Sequence, residues 1–204
     1  MNRKAHWEKV YESQASTEVS WYQPIPSRSL DLIARSGVGP AGEFIDIGGG
    51  DSTLVDAFLE HDIGHLTVLD ISEAALQHAQ ARLGPRASTV MWMEADVTRV
   101  ALPANAYDLW HDRAVFHFIV SDADRGRYVE AMRQSLKPRG HLIMATFASD
   151  GPTRCSGLEV ARYSPEDLME VLGTDFELIA HAREVHRTPQ GREQPFTYCW
   201  CRKR

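Results

Sequence analysis

Cysteine is scarce in this chain. Cys155, Cys199 and Cys201 are the three among 204 residues. That is too few, and too irregularly spaced, for a disulfide framework or a zinc site. Cys199 and Cys201 would share one face of a strand, and small buried hydrophobes in a reducing compartment are the expectation for all three. No metal is expected. Basic charge is also short, with 22 Lys and Arg against 28 Asp and Glu and a net charge of -6. A nucleic-acid binder carries a basic stripe. The basic cluster here, Arg202-Lys203-Arg204, reads as a solvated tail, so no nucleic-acid partner is expected. No apolar run reaches the roughly 20 residues that span a bilayer. Met1-Asn-Arg-Lys-Ala-His-Trp7 has no apolar stretch behind its basic residues, so no signal peptide is read. The expectation is a cytoplasmic protein without membrane contact. Repeats, low-complexity tracts and internal boundaries are missing too, and the length suits one domain with a substantial core.

What is present is organised around Glu43-Phe-Ile-Asp-Ile-Gly-Gly-Gly-Asp-Ser-Thr-Leu54. Phe44, Ile45 and Ile47 suit a strand covered on both faces. Gly48, Gly49 and Gly50 allow a sharp turn and a close backbone approach to a ligand. Asp51 and Ser52 suit a helix cap, and Leu54, Val55, Phe58 and Leu59 supply that helix with an apolar face. Asp46 stands out. A carboxylate near the end of a buried strand is costly unless something pairs with it, and in open α/β sheets ligands bind at that end.

The rest of the chain continues the rhythm. Residues 3–12 read as a short polar helix carrying Trp7, Val10 and Tyr11. Two prolines keep Ser20-Trp-Tyr-Gln-Pro-Ile-Pro26 irregular; its aromatics, Trp21 and Tyr22, either staple the N-terminus to the core or form a lid over a ligand. A short helix follows to Gly37. Further strands are read at 65–70, 89–93, 107–111 and 141–147, and helices after Ser72 and over 122–136, the latter broken by Lys137-Pro-Arg-Gly140. Strands alternating with helices predict βαβ units and a mostly parallel sheet. Ser164-Pro-Glu-Asp167 then starts a helix, and the runs 176–185 and 195–201 form a closing antiparallel pair.

Asp46, Asp70 and Asp96 thus stand at the ends of the first three strands, on one rim. An acid after the second strand is the usual partner of a ribose diol, which assigns Asp70, with Ile71 beside it. Asp96 and Val97 suit an adenine ring. The ligand read from the rim is an adenine nucleoside. A nicotinamide dinucleotide would want glycine where Thr53 stands, and its pyrophosphate would meet Asp46. A cationic ligand without phosphate suits that acid better.

At this point the chain resembles the class I S-adenosylmethionine-dependent methyltransferases. The likeness covers residues 43–147 in the order EFIDIGGGDS, TVLDIS, MEADVT, YDLWHDRAVFHF and LKPRGHLIMATF, with Ser52 replacing the third glycine of the family's D-x-G-x-G-x-G pattern. It implies a Rossmann-like α/β fold with a mostly parallel seven-stranded sheet, helices on both faces and a C-terminal antiparallel hairpin. It also implies S-adenosyl-L-methionine as cofactor: the Gly48–Gly50 turn at its methionine part, Asp46 at its amino group, Asp70 at its ribose, Asp96 at its adenine, and His111 lining the reaction chamber. The single domain would divide into N-terminal helices and lid segment (1–37), cofactor core (43–147) and a substrate-side helix and hairpin (148–204). The flanks, SWYQPIPSRSL and GPTRCSGLEVARYS, resemble the group that includes citrate synthase lysine methyltransferase.

Methyl transfer needs a base only for a protonated nucleophile. His111, Asp112 and His117 are the candidates; Val115, Phe116 and Phe118 read as core, and Arg113 as a partner for Asp112. The acceptor stays open between a protein lysine and a small molecule such as a thiol or metalloid, since the three cysteines could gather at the pocket. The competing readings are an NAD(P)-dependent oxidoreductase and a non-catalytic binding protein of the same fold.

Overall fold

The apolar residues of the first strand alternate between two cores, and the sheet grows from that. In the computed structural model, which describes residues 2–204, the elements in chain order are α1 (Arg3–Ser13), α2 (Ser27–Ser36), β1 (Glu43–Ile47), α3 (Leu54–His61), β2 (His65–Asp70), α4 (Glu73–Leu83), β3 (Met91–Glu94), β4 (Tyr107–Arg113), α5 (Asp122–Ser135), β5 (Leu136–Phe147), the two short strands β6 (Arg154–Cys155) and β7 (Leu158–Glu159), α6 (Pro165–Leu172), β8 (Phe176–Arg187) and β9 (Glu193–Lys203). Phe44 packs with Leu66, Val68 and Leu109 on one face, and Ile45 and Ile47 pack with Leu69, Trp110 and Met144 on the other. Both faces are covered by helices, as a parallel sheet requires.

The seven strands run in the order β3-β2-β1-β4-β5-β9-β8. The first five pair in parallel, and β9 lies antiparallel to both β5 and β8. The chain reverses its direction across the sheet between β1 and β4, the switch point at which α/β sheets open a ligand crevice. The fold is therefore the Rossmann-like sheet with a closing hairpin that the sequence predicts. Local chemistry fixes its helices: Ser72 accepts from Ala75 N–H to cap α4, and Ser164 with Asp167 forms a reciprocal capping box on α6.

Three details differ from the sequence reading. Lys137-Pro-Arg-Gly140 does not separate helix from strand. The helix stops at Ser135 and the chain turns extended at once, with an irregular pairing between Tyr107 and Leu109 and Arg139 at φ 64° absorbing the slip. The basic tail is not free: Arg202 pairs with Glu177, and Lys203 Nζ donates to the carbonyls of Arg133 and Leu136 at 2.7 Å each. Arg113 does not pair with Asp112. Neighbours on a strand point to opposite faces, so Asp112 faces α5 while Arg113 faces the other way.

Asp112 is fully buried, and its carboxylate accepts from Val115 N–H (3.0 Å), Phe116 N–H (3.1 Å) and the Tyr128 hydroxyl (2.5 Å). Burial pushes it up to about 6, against the pull of those bonds. Its work is to hold the chain after β4. Asp112→Ala leaves three buried donors without an acceptor, and the expected loss is about 3 kcal/mol of unfolding free energy in urea titration; a loss below about 1 kcal/mol contradicts this role.

Candidate active site

The glycine turn meets the acids at the rim of β1 and β2. Gly48 has φ 67°, a left-handed conformation that disfavours side chains, and a Cβ there would strike Val115. Gly50 N–H donates to Asp70 Oδ2 at 3.0 Å, and Ser72 N–H to Asp70 Oδ1 at 2.9 Å; a Cβ on Gly50 would lie 2.7 Å from that same Oδ2. Burial still wins at Asp70 and pushes its carboxyl up to about 6. Asp46 is buried beside the turn. Its Oδ1 lies 2.7 Å from His111 Nδ1, while its Oδ2 has no partner among the described residues. His111 Nε2 lies 2.9 Å from Ser29 Oγ, so α2 braces the pair from behind. Asp96 is more open. Thr98 donates to its Oδ1 through N–H (2.9 Å) and hydroxyl (2.6 Å), and Arg3 reaches within 3.8 Å of Oδ2.

Above the rim lies a roof. Glu8 of α1 accepts from Ser72 Oγ (2.9 Å), Glu73 N–H (2.8 Å) and Ala74 N–H (3.1 Å), so one carboxylate caps α4 and fastens α1 across the end of β2. Its underside is aromatic. Trp21 packs against Trp7 (5.7 Å between centroids) and Tyr11 (6.0 Å), and Trp7 against Phe118 (4.9 Å). Beneath are two adjoining cavities, one larger than the other. The larger meets Gly48, Asp70, Ile71, Asp96 and Val97; the smaller meets Asp46, Gly48, Gly49, His111, Tyr22 and Ser29, and Trp21 lines both. Segment 20–26 thus covers the cavities and is also tied down: Trp21 O accepts from Arg113, Gln23 O from Thr53, and Ser20 O lies 2.8 Å from His186 Nε2.

The far wall of the larger cavity holds Arg113, His117, Phe147, Cys155, Gln194 and Phe196. Of the three base candidates, then, His111 and His117 each line a cavity and Asp112 lines neither. The cysteines do not gather there either. Cys155 reaches the chamber, while Cys199 and Cys201 sit on the opposite face of the sheet, where burial pushes each thiol up to about 12. Sequence reasoning missed Arg113 as a wall residue, Glu8 as the clasp and Ser29 as the brace. The four-residue spacing of Trp7 and Tyr11 on a polar helix was the available sign of a roof.

Residues 45–142 match the family model described as a methyltransferase domain. The eEF1A lysine and N-terminal methyltransferase of Danio rerio is 21% identical over 148 residues, 71% of this chain and 21% of that protein. A ubiquinone/menaquinone biosynthesis C-methyltransferase of Teredinibacter turnerae is 28% identical over 120 residues, 57% of this chain and 47% of that protein. The chain thus spans about a fifth to about a half of the length of these curated relatives. Among solved structures, an S-adenosylmethionine-dependent methyltransferase from Anabaena variabilis superposes with a TM-score of 0.77 at 17% identity, covering 100% of this chain and 96% of that one. The 1,6-didemethyltoxoflavin-N1-methyltransferase of Burkholderia thailandensis, with bound 1,6-didemethyltoxoflavin and S-adenosylhomocysteine, superposes at 0.71 with 21% identity, covering 98% and 83%. At these identities the likeness is one of fold. None of the matches named here points to the narrower group around citrate synthase lysine methyltransferase.

The clasp has its own test. Glu8→Ala removes the acceptor of three bonds at an exposed helix end, so amide hydrogen exchange in residues 3–13 is expected to speed up at least tenfold while β1 and β4 exchange as before. Uniform protection across both would mean that the roof is held by its aromatics alone.

Proposed function

We propose that this chain, whose residues 45–142 match a methyltransferase-domain family model, is an S-adenosylmethionine-dependent methyltransferase of class I that transfers the cofactor's methyl group to a small-molecule acceptor held under α1. The observation that carries the reading is Asp46 Oδ2, buried beside the glycine turn with no partner among the described residues. A lone buried carboxylate oxygen is expensive, and the cofactor's ammonium is the cation that relieves it. A dinucleotide would instead bring a pyrophosphate toward this anion. The remaining contacts follow from the rim: Asp70 takes the ribose hydroxyls with Ile71 beside it, Asp96 and Val97 take the adenine, and Trp21 and Tyr22 cover the ligand.

The bound cofactor supplies an already activated leaving group, so in-line displacement at its methyl carbon asks mainly for alignment and a dry chamber. This chain provides both. Ile47, Leu69 and Val97 give an apolar floor, and the roof excludes water. His111 is a positioning residue, because both of its nitrogens already face oxygen partners, Asp46 and Ser29. The relatives named above carry names for a protein acceptor in one case and a quinone pathway in the other. A cavity roofed by the rings of Trp7, Tyr11 and Trp21 supports a small acceptor.

Two measurements test the cofactor. S-adenosylhomocysteine is expected to raise the melting temperature and NAD to leave it unchanged, because only a ligand of the native state shifts the midpoint; a shift with NAD alone would reverse the reading. Affinity also depends on pH with a definite sign. Free Asp70 takes up a proton as pH falls through about 6, whereas hydroxyl donors favour its ionised form. Affinity for S-adenosylhomocysteine is therefore expected to drop about tenfold between pH 7 and pH 5. Asp70→Asn is expected to weaken binding at least about tenfold at pH 7 and to abolish that slope. An identical slope in the variant would remove Asp70 from the ribose contact.

A further inference from the structure

Two residues of the far wall, Arg113 and His117, each carry a buried hydrogen-bond donor that has no hydrogen-bond partner among the described residues. Arg113 spends Nε on the Tyr198 hydroxyl and Nη1 on the Trp21 carbonyl, each at 3.0 Å. Its Nη2 is buried without a hydrogen bond among the described residues, 4.0 Å from Glu184 Oε1, an oxygen that already accepts from Gln23. His117 is fully buried. Its Nδ1 accepts from Phe147 N–H at 3.2 Å, so its ring proton belongs on Nε2, and Nε2 is likewise without a partner. Burial, with Arg113 close by, drives its imidazolium down to about 3, which keeps the ring neutral and Nε2 a donor near neutral pH. Both donors border the same ring: Phe196 lies 4.7 Å from the Arg113 guanidinium carbon and 6.2 Å from the His117 ring centre. Phe147 and Phe118 continue the apolar surface, 4.5 Å each from His117.

Buried donors left unmet incur a desolvation cost that an acceptor oxygen removes. We infer that Arg113 Nη2 and His117 Nε2 bind the oxyanion of the methyl acceptor, and that this acceptor is a flat, largely apolar acid: a carboxylate, or an acidic phenol or enol. The inference rests on the methyltransferase reading and narrows it. The chemistry balances without a base. A lone pair of the oxyanion forms the new O–CH₃ bond, the C–S bond breaks, and its electron pair stays on sulfur as a neutral thioether. No proton has to leave. The site agrees, since His111 has both nitrogens engaged, His117 presents a donor, and Asp112 lies across the sheet. A lysine would arrive as an ammonium, would need deprotonation, and would lie beside the Arg113 guanidinium.

Two probes of one shape and opposite charge decide the matter on protein saturated with S-adenosylhomocysteine. By calorimetry, 2-naphthoate is expected to bind at least tenfold tighter than 2-naphthylmethylamine. In Arg113→Gln, and separately in His117→Phe, the ratio of the two affinities is expected to fall at least fivefold, a comparison that is internal to each folded, cofactor-bound variant. 2-Naphthol near its own pKa distinguishes a phenolate from a carboxylate requirement. Equal or tighter binding of the amine, or an unchanged ratio in both variants, overturns the inference and leaves the cofactor reading standing. Failure of the wild type to bind S-adenosylhomocysteine at all overturns both.

Discussion

The alternation of side chains along β4 divides the labour of the whole site. Trp110, His111, Asp112 and Arg113 are consecutive, yet they serve two sides of one sheet. Trp110 and Asp112 turn toward α5, where Tyr128 accepts from Trp110 Nε1 at 2.9 Å and donates to Asp112. That side is sealed and fixes the backbone leaving the strand. His111 and Arg113 turn toward the ligand side, one bracing Asp46 and the other tying Trp21, Tyr198 and Phe196 together. A slip of one residue in the pairing of β1 with β4 would exchange the two sets, placing a structural carboxylate in the chamber and the brace in the core. The parallel register Asp46↔His111 prevents this, and it does so at the strand pair where the sheet order reverses.

From that division follows a sorting of charge. Asp46, Asp70 and Asp96 occupy the rim formed by the first three strands, while Arg113 and the neutral donor His117 occupy the opposite wall. Such sorting is costly in an empty chamber. Asp70 is pushed up to about 6 by burial, and Asp46 Oδ2 on one side and Arg113 Nη2 and His117 Nε2 on the other have no hydrogen-bond partner among the described residues. The fold supports these costs through two large apolar cores, one on each face of the sheet. Among the described residues the unmet polar atoms include Asp46 Oδ2, Arg113 Nη2 and His117 Nε2, all on residues that line the two adjoining cavities, and buried groups left unpaired at such a place are candidates for ligand contact. The acidic rim suits a ligand with a cationic end and hydroxyls, and the donor wall suits oxygen.

The sheet was legible because its signals are local and repeated. The first four parallel strands carry short apolar runs separated by turn or helix signals, and α4 and α6 start at clear caps, Ser72 and Ser164. The rim was legible for a similar reason, since Asp46, Asp70 and Asp96 stand at or within two residues of the ends of β1, β2 and β3. The far wall was legible only at His117. Arg113 and His117 lie in a run that also holds core residues, and Phe147, Cys155 and Phe196 come from distant segments that only the sheet order brings together. The expected pairing of Arg113 with Asp112 took adjacency in sequence for adjacency in space. Glu8 was missed because a single acid on an exposed polar helix has no local feature that names its partner, 64 residues away.

The roof differs in kind from the rest of the molecule. A strand such as β1 leaves the sheet only by breaking two ladders and opening both cores. The fasteners of α1 are instead polar and partly exposed: Glu8 on the start of α4, Lys4 on Glu94, and Arg3 on Asp124. Exposed ion pairs contribute roughly 0–1 kcal/mol each, so most of the hold comes from the packing of Trp7, Tyr11 and Trp21. Those same rings line the larger cavity. A ligand that fills the cavity adds contact to the underside of the roof, and an empty cavity withholds it. The segment bounding the chamber is therefore held by weaker, more exposed contacts than the strands are, and contact from beneath would add to its hold.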